Sequence, residues 1–458
     1  MRPIPMAVTT DAGRASISTI CKLVNVFPEK SNASSENPVA LLTTPGLSLQ
    51  FKIANEGGII GGVETPIGSY FCTRKGLYQI KGKKYVKKHD VNLVGRVSIA
   101  CNGLSIVIVD GYKAYAYILE SGKMTELDIP RSSTVIFSDG YYAVSYIDSN
   151  QWAVSRLYSI EFDPTAFAAA EGSYDNIQGL TVYKRQIYVI GEKSIEPWYN
   201  SGEEFPYNPN QSAYIDIGCY TPWAFTSNIN GVFFLGDDKI VYAATGYVPQ
   251  RISTHAIEYI IGSMNCNKAY MVSYSQEGHD FIGLILPDED TMLFYDITTG
   301  SWHFRESPLG VYESMFTLGP DVYVGFGDGS VYLFDPSIGS EGDKPVNRYC
   351  ITPSISNNGN RFRNNAVEML VQYENDGAPK KLLSNMTAAE KMLYVNENSV
   401  YMSFTDDDGR LWSDEVAAAP SDDQGKYRWN KLGMSYRRAF KFRTYGKSAG
   451  VWAGVYIG

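Results

Sequence analysis

One phrase recurs along this sequence: a short apolar or alternating run, a tight turn built on Asp-Gly or Gly, then a second run. "YVGFGDGSVYLFDPSIG", Tyr323 to Gly339, carries it with a turn at Gly327 to Gly329 and a stop at Asp335-Pro336. Period-two alternation around such turns specifies antiparallel hairpins. The same phrase is written in "GLYQIKGKKYVKK" (Gly76 to Lys88), "SIVIVDGYKAYAYI" (Ser105 to Ile118) and "VIFSDGYYAVSY" (turn Asp139-Gly140). It returns in "GLTVYKRQIYVIGEKSIEPWY", in "NGVFFLGDDKIVYAA" (turn Gly236-Asp237) and in "FIGLILPDEDTMLFYDITTGSWHF". Long helical patterns are scarce, and the 34 tyrosines suit half-buried strands. The class is all-β.

The units begin on the order of 35–50 residues apart, the length of a four-stranded sheet. One such sheet cannot bury both faces. Stacked around an axis the sheets bury one another, and closing the ring removes the outer edges. A β-propeller of six or seven blades over residues 46–340 is the expected fold. The Tyr323 phrase is expected as the outer hairpin of its last blade, and one excursion, about Thr165 to Gln178, interrupts the series. "DPSIGSEGDKP", residues 335–345, reads as a linker because Gly, Ser, Pro and charge replace the alternation. Residues 341–458 then read as a β-sandwich-like domain, with strands around Tyr349, Ala366, Tyr401 and through the final segment. Residues 1–45 show little periodicity and are expected as an arm along the first blade or a neighbouring subunit.

At 458 residues the chain is long enough for such a ring and a second domain. Its net charge of −9 argues against wrapping nucleic acid, since phosphate binding rests on Lys and Arg. An acidic wall still lets DNA slide past. The six cysteines are far apart, without CxxC, and read as reduced, mostly buried thiols. His89, His255, His279 and His303 are isolated, so no metal site is expected. No run of about 18 apolar residues occurs, so no membrane span is expected. A P-loop and GxGxxG before a helix are both missing. No catalytic residue, cofactor or metal is expected.

Two features carry the functional reading. "SFTDDDGRLW", Ser403 to Trp412, looks like an Asp-box, a hairpin whose Ser, Asp, Gly and Trp hold a turn. After Asp423 there is no further acid, while Lys426, Arg428, Lys431, Arg437, Arg438, Lys441, Arg443 and Lys447 follow. In "RRAFKFRTYG" alternation points Phe440 and Phe442 one way and Lys441 and Arg443 the other. Arg428, Lys431, Arg437, Arg438, Lys441 and Arg443 are the candidate interface, a cationic face for an acidic partner or a neighbouring subunit. A solvated outer surface is the competing explanation.

The segments "LVNVFPEKSN…LLTTPGLSLQF", "GRVSIACNGLSIVIVDGYKAYAY", "ISTHAIEYII" and "VYMSFTDDDGRLWSDE…YRWNKLGMSYRRAFKFRTYG" together resemble the packaged-DNA stabilisation proteins, or tail accessory factors, of short-tailed phages. The resemblance implies a non-enzymatic virion tail hub that joins the portal and head-to-tail adaptor to the tail needle and to tailspikes or tail fibres. It further implies a homo-oligomer, a hexamer, that helps retain packaged DNA, meets DNA only by proximity in the channel, and assembles in the host bacterial cytoplasm. The alternative is a carbohydrate-binding or sialidase-like propeller. Sialidase-type sites gather arginines at the axis, and residues 46–340 offer Arg74, Arg96, Arg131, Arg156, Arg185, Arg251 and Arg305.

Overall fold

A computed structural model describes residues 2–12, 20–30, 39–82, 84–373, 385–421, 425–445 and 450–458. Seven four-stranded antiparallel sheets follow one another around an axis, so the ring has seven blades. Blade one comprises Ile59–Thr65, Gly68–Thr73, Gly76–Lys81 and Lys84–Asp90. Blade two runs from Ser98–Cys101 to Met124–Glu126, blade three from Ser132–Ser138 to Phe162–Ala169, and blade four from Ile177–Tyr183 to Tyr207–Pro209. Blade five spans Phe225–Asn228 to Pro249–Arg251, and blade six spans Tyr270–Gln276 to Ser301–Arg305. Between them sits the helix His255–Gly262, whose first turn is capped by the Thr254 side chain.

Blade seven is assembled from both ends of the ring. Ser314–Leu318, Asp321–Gly325 and Ser330–Asp335 supply its first three strands. Its outer strand is Gly46–Lys52, which pairs antiparallel with Ser330–Asp335. The Tyr323 phrase is therefore the middle hairpin of the last blade and not its outer one. The ring closes because the outer edge of Ser330–Asp335 takes up a strand made 278 to 289 residues earlier. At the innermost layer, blade one meets blade seven where Gly62 faces the Phe316 ring; a Cβ at Gly62 would lie 2.4 Å from that ring. The excursion after Thr165 begins as the end of the outer strand of blade three and runs on as irregular chain to blade four, which starts at Ile177. Phe162–Ala169 pairs with Gln151–Ser155 on a mostly exposed edge, which is why its sequence lacks apolar alternation.

The C-terminal part is two sheets packed on one core. The first orders Val26–Lys30, Val39–Thr43, Gly450–Ile457, Ala366–Tyr373 and Lys426–Asn430, with Arg2–Ile4 added beside Gly450–Ile457. The second orders Ile20–Val24, Arg348–Ile351, Arg437–Thr444, Val400–Thr405 and Val416–Ala418. Leu23, Val26, Met369, Trp429, Phe440, Phe442 and Trp452 fill the space between them. The described residues before Gly46 are thus not an arm on the first blade. Arg2–Ile4, Ile20–Val24, Val26–Lys30 and Val39–Thr43 give strands to this sandwich, where burial of Leu23, Val26 and Leu41 offsets their ordering.

The second sandwich sheet does not end at Ile20–Val24. Val24 bridges Phe304 of blade six in parallel, so one hydrogen-bonded surface runs from propeller to sandwich. Asn25 fixes this junction. It adopts φ 54°, a left-handed conformation that Asn tolerates better than most residues. Its side-chain amide donates to the carbonyls of Glu306 (2.8 Å) and Asn347 (2.7 Å). The segment expected as a linker is correspondingly ordered. Glu341, Val346 and Arg348 are buried, and Arg348 donates to the Gly339 carbonyl at 2.6 Å. Gly46 lets this segment pass, since a Cβ there would lie 2.3 Å from the Ser340 carbonyl oxygen.

Candidate interaction surfaces

The three adjacent aspartates of the Asp-box have separate tasks. Asp407 closes its own turn, accepting from the Thr405 hydroxyl (2.8 Å) and the Leu411 N–H (2.9 Å), and these donors hold its carboxyl below the usual range. Asp406 receives both Nε and Nη2 of Arg438 at 2.7 Å. Asp408 receives Arg437 at 2.6 Å. The motif is a bracket that takes two arginines from the neighbouring strand.

This pairing corrects part of the expected cationic face. Arg438 is buried, its side chain 2% exposed, with its guanidinium 3.9 Å from the Phe404 ring centre and a further bond to the Leu432 carbonyl. A chain turning outward at Tyr436 swings back at Arg438, so alternation puts this cation inside. Arg437 is held by Asp408, and Arg428 pairs with Glu368 at 2.8 Å beside Lys426 at 2.9 Å. The acids that balance the basic tail precede it in the chain, at positions 368 to 415. Lys431 is exposed in a left-handed turn, φ 61°. Lys447 and Asp423 lie outside the described residues.

Lys441 and Arg443 keep the orientation that alternation predicts, opposite the buried Phe440 and Phe442. Lys22, from the strand two places across, joins them. Lys22, Lys441 and Arg443 approach the Tyr349 ring at 5.6, 4.7 and 5.5 Å, and Lys22 also lies 4.6 Å over Phe304. Burial, then the neighbouring Arg443, pushes the Lys441 ammonium down. Arg443 has Glu415 at 3.3 Å, yet its buried Nε has no acceptor among the described residues. Three cations around one aromatic ring, with Glu415 and Glu306 nearby, form a mainly positive patch across the propeller–sandwich junction. Lys22 lies outside the basic run, and no local signal marked it.

A second surface is the mouth of the propeller axis. A cavity of about 680 Å³ opens where loops of blades one, two, five, six and seven converge, lined by Arg74, Arg96, Pro222, Trp223, Lys268 and Glu313 among others. It leads to a narrower axial space of about 310 Å³ between the innermost strands, and Arg96 lines both. The Arg96 guanidinium stacks 3.7 Å from the Tyr270 ring centre and donates to the Glu313 carbonyl at 3.3 Å. Arg74 is paired to the Glu313 carboxylate at 3.0 Å, and Lys268 to Asp288 at 2.7 Å.

The other propeller arginines are elsewhere. Arg131 donates to the Gly111 carbonyl, Arg156 pairs with Glu161, Arg185 with Asp139 and Arg251 with Glu258. Arg305 is buried against Phe294, Tyr274 and Phe334. Two arginines at the mouth, one already neutralised, do not make a sialidase-type cluster. Cys72, Cys219 and Cys350 are buried, their thiols pushed up to about 12, which leaves them unreactive. His279 contacts Asp296 at 2.9 Å, and His303 is buried beside it.

These features define a seven-bladed propeller continuous with a sandwich and bearing charged surfaces. The chain belongs to the phage DNA-stabilisation tail protein family. "Bacteriophage P22 Gp10, beta-propeller" matches residues 21–309, and "Bacteriophage P22 Gp10, beta-sandwich" matches residues 347–458. A search of the curated proteins returned no match. Among solved structures, the extracellular domain of BT4673 from B. thetaiotaomicron is similar at TM-score 0.44 and 9% identity, over 63% of this chain and 40% of that one. BamB from Moraxella catarrhalis is similar at TM-score 0.43 and 11% identity, over 69% of this chain and 98% of that one. YCF48 from Cyanidioschyzon merolae is similar at TM-score 0.44 and 9% identity, over 64% and 99%. The chain spans 40% of the length of the BT4673 domain. At these levels the likenesses decide nothing about this chain.

Proposed function

We propose that the chain is the tail hub of a short-tailed phage, joining the portal and adaptor to the tail needle and to tailspikes or tail fibres, without catalysis. The observation that carries this reading is the sheet continuing from blade six through Ile20–Val24 into the sandwich, in a chain of this family. A joint of that kind transmits load between two binding bodies without a hinge. The working units are a propeller over 46–340 and a sandwich over 341–458, to which the strands before residue 46 are added. Copies form a ring, a hexamer by the family resemblance, and DNA passes a largely acidic wall without being gripped. Assembly takes place in the host bacterial cytoplasm.

The Lys22, Lys441 and Arg443 patch is the face we assign to an acidic partner or a neighbouring copy. Like charges gathered around one ring favour a surface that brings carboxylates. Arg428 belongs to the other sandwich sheet and is paired with Glu368, and Arg437 and Arg438 serve the fold. The test is light scattering of the full chain with its adaptor. Ring-sized particles are expected for the native protein and their loss for Lys22→Glu with Lys441→Glu. A native chain that stays monomeric with adaptor present would remove the hub reading. Normal assembly of the double variant would remove only the patch.

A further inference from the structure

We propose that the axial mouth is a peptide-binding site whose anchor is Arg96, and that its ligand is an extended segment carrying one carboxylate between apolar residues. The lining holds Arg74, Arg96 and Lys268 against Glu313 alone. Glu313 neutralises Arg74, and Asp288 neutralises Lys268, so one positive charge is left at Arg96. In a chain of net charge −9 that excess is local and directed.

The Arg96 side chain is held ready. Its face lies on Tyr270, so the guanidinium plane is fixed. Tyr270 is fixed in turn by its hydroxyl, which donates to the Tyr312 carbonyl. Gly95 permits the approach, because a Cβ there would lie 2.2 Å from the Asp110 carbonyl oxygen. The Asp110 carboxylate accepts from the Val94 N–H at 2.8 Å and from the turn at Tyr112. A guanidinium has five N–H donors, and Glu313 and Tyr270 engage only part of that set. Arg96 lines the cavity and keeps donors beyond those two partners.

The chemistry of the ligand follows from the walls. A fixed guanidinium fork matches a carboxylate with two parallel hydrogen bonds. A single unbalanced cation beside Glu313 suits a monoanion and disfavours a phosphate dianion. Pro222, Trp223, Val94, Val311 and Pro287 form the apolar walls, which suits apolar side chains on both sides of the acid. The volume, about 680 Å³, lies within the ~300–1,000 Å³ typical of ligand sites. This site is separate from the Lys22–Lys441 patch, so either can fail without the other.

The test is selection of a random heptapeptide display library on the full-length chain, followed by titration of the synthetic selected peptide against Trp223 fluorescence. Selected peptides are expected to hold one Asp or Glu flanked by apolar residues. Replacing that acid by its amide is expected to weaken binding at least about tenfold, as loss of a charge-assisted bond does. Arg96→Gln should abolish selection, and Arg96→Lys should restore it only in part. Val94→Asp keeps the proposal testable should Arg96 variants not fold: Val94 is an exposed rim residue, and an acid there should weaken binding about tenfold without lowering stability. No enrichment on the native chain, enrichment without an acid, or binding unchanged by Val94→Asp would each overturn the proposal.

Discussion

Asn25 and Glu306 exchange two hydrogen bonds across 281 positions of sequence: the Asn25 amide donates to the Glu306 carbonyl at 2.8 Å, and the Glu306 N–H donates to Asn25 Oδ1 at 3.1 Å. The same amide reaches the Asn347 carbonyl. One side chain therefore ties an N-terminal strand, the end of blade six and the start of the sandwich. Asn25→Ala should destabilise by roughly 3–5 kcal/mol, from orphaned buried groups and left-handed strain. Asn25→Gly loses the same bonds but tolerates φ 54°, so it should be about 1 kcal/mol less damaging. Urea unfolding of the two variants checks this ordering, and the reverse order would remove the strain argument.

Charge reversal separates fold from surface in the basic tail. Arg438→Glu places two carboxylates against each other in a site that is 2% exposed on the arginine side. Leaving a buried ion pair broken costs about 3–5 kcal/mol; the half-exposed Asp406 reduces this to roughly 2–4 kcal/mol. Lys431→Glu, at an exposed turn, should change stability by less than about 0.5 kcal/mol. Thermal unfolding should separate the two clearly, and equal effects would return Arg438 to the surface.

Gly46 decides whether the ring closes. A methyl group there meets two backbone carbonyls, of Ser340 at 2.3 Å and Ile338 at 2.5 Å, neither of which can swing aside. Gly46→Ala should cost roughly 1–3 kcal/mol by overpacking. The effect should be local: amides of Gly46–Lys52 and Ser330–Asp335 should exchange faster than those of blades two to five. Gly246→Ala, which meets nothing within 4 Å, is the control. Uniform exchange across all blades in the Gly46 variant would contradict a closing role for this strand.

What could be read from the sequence was whatever is written locally. The hairpins of blades one to six announce themselves because period two and a turn residue lie within a dozen positions, as at Asp110-Gly111. Gly46–Lys52 reads as a strand, but nothing within it says that its partner is Ser330–Asp335. Phe162–Ala169 escaped because an exposed outer strand needs no apolar face. In the basic tail, alternation gave the right faces for Phe440, Lys441 and Arg443. It could not tell that Asp406 and Asp408 stand opposite Arg438 and Arg437, since ion pairing depends on register between distant strands. Arg96 stood out in the sequence only as one of seven propeller arginines and as part of "GRVS"; its cavity exists only once five blades converge.

The junction also predicts a pH dependence. Glu341 is buried and accepts hydrogen bonds from the Ser307 and Tyr312 hydroxyls. Burial pushes its carboxyl from 4.5 up to about 7, against the pull of those donors and of nearby Arg305 and Arg348. The folded state thus holds a proton that the unfolded chain has released. Stability from this group is full below pH 4.5 and is lost as pH rises to about 7, a change on the order of 3 kcal/mol. His279, raised by its bond to Asp296, changes with the same sign above 6.5. His303, held neutral by burial, acts oppositely, costing stability as pH falls below 6.5. The native curve mixes these groups with others, among them Glu196, also raised by burial, so the informative quantity is the difference between the native chain and Glu341→Gln. That variant cannot release the proton, and its stability relative to native should rise steadily from pH 4.5 to 7. Urea unfolding across this range measures it; a difference that stays constant with pH would mean that Glu341 is already ionised in the fold.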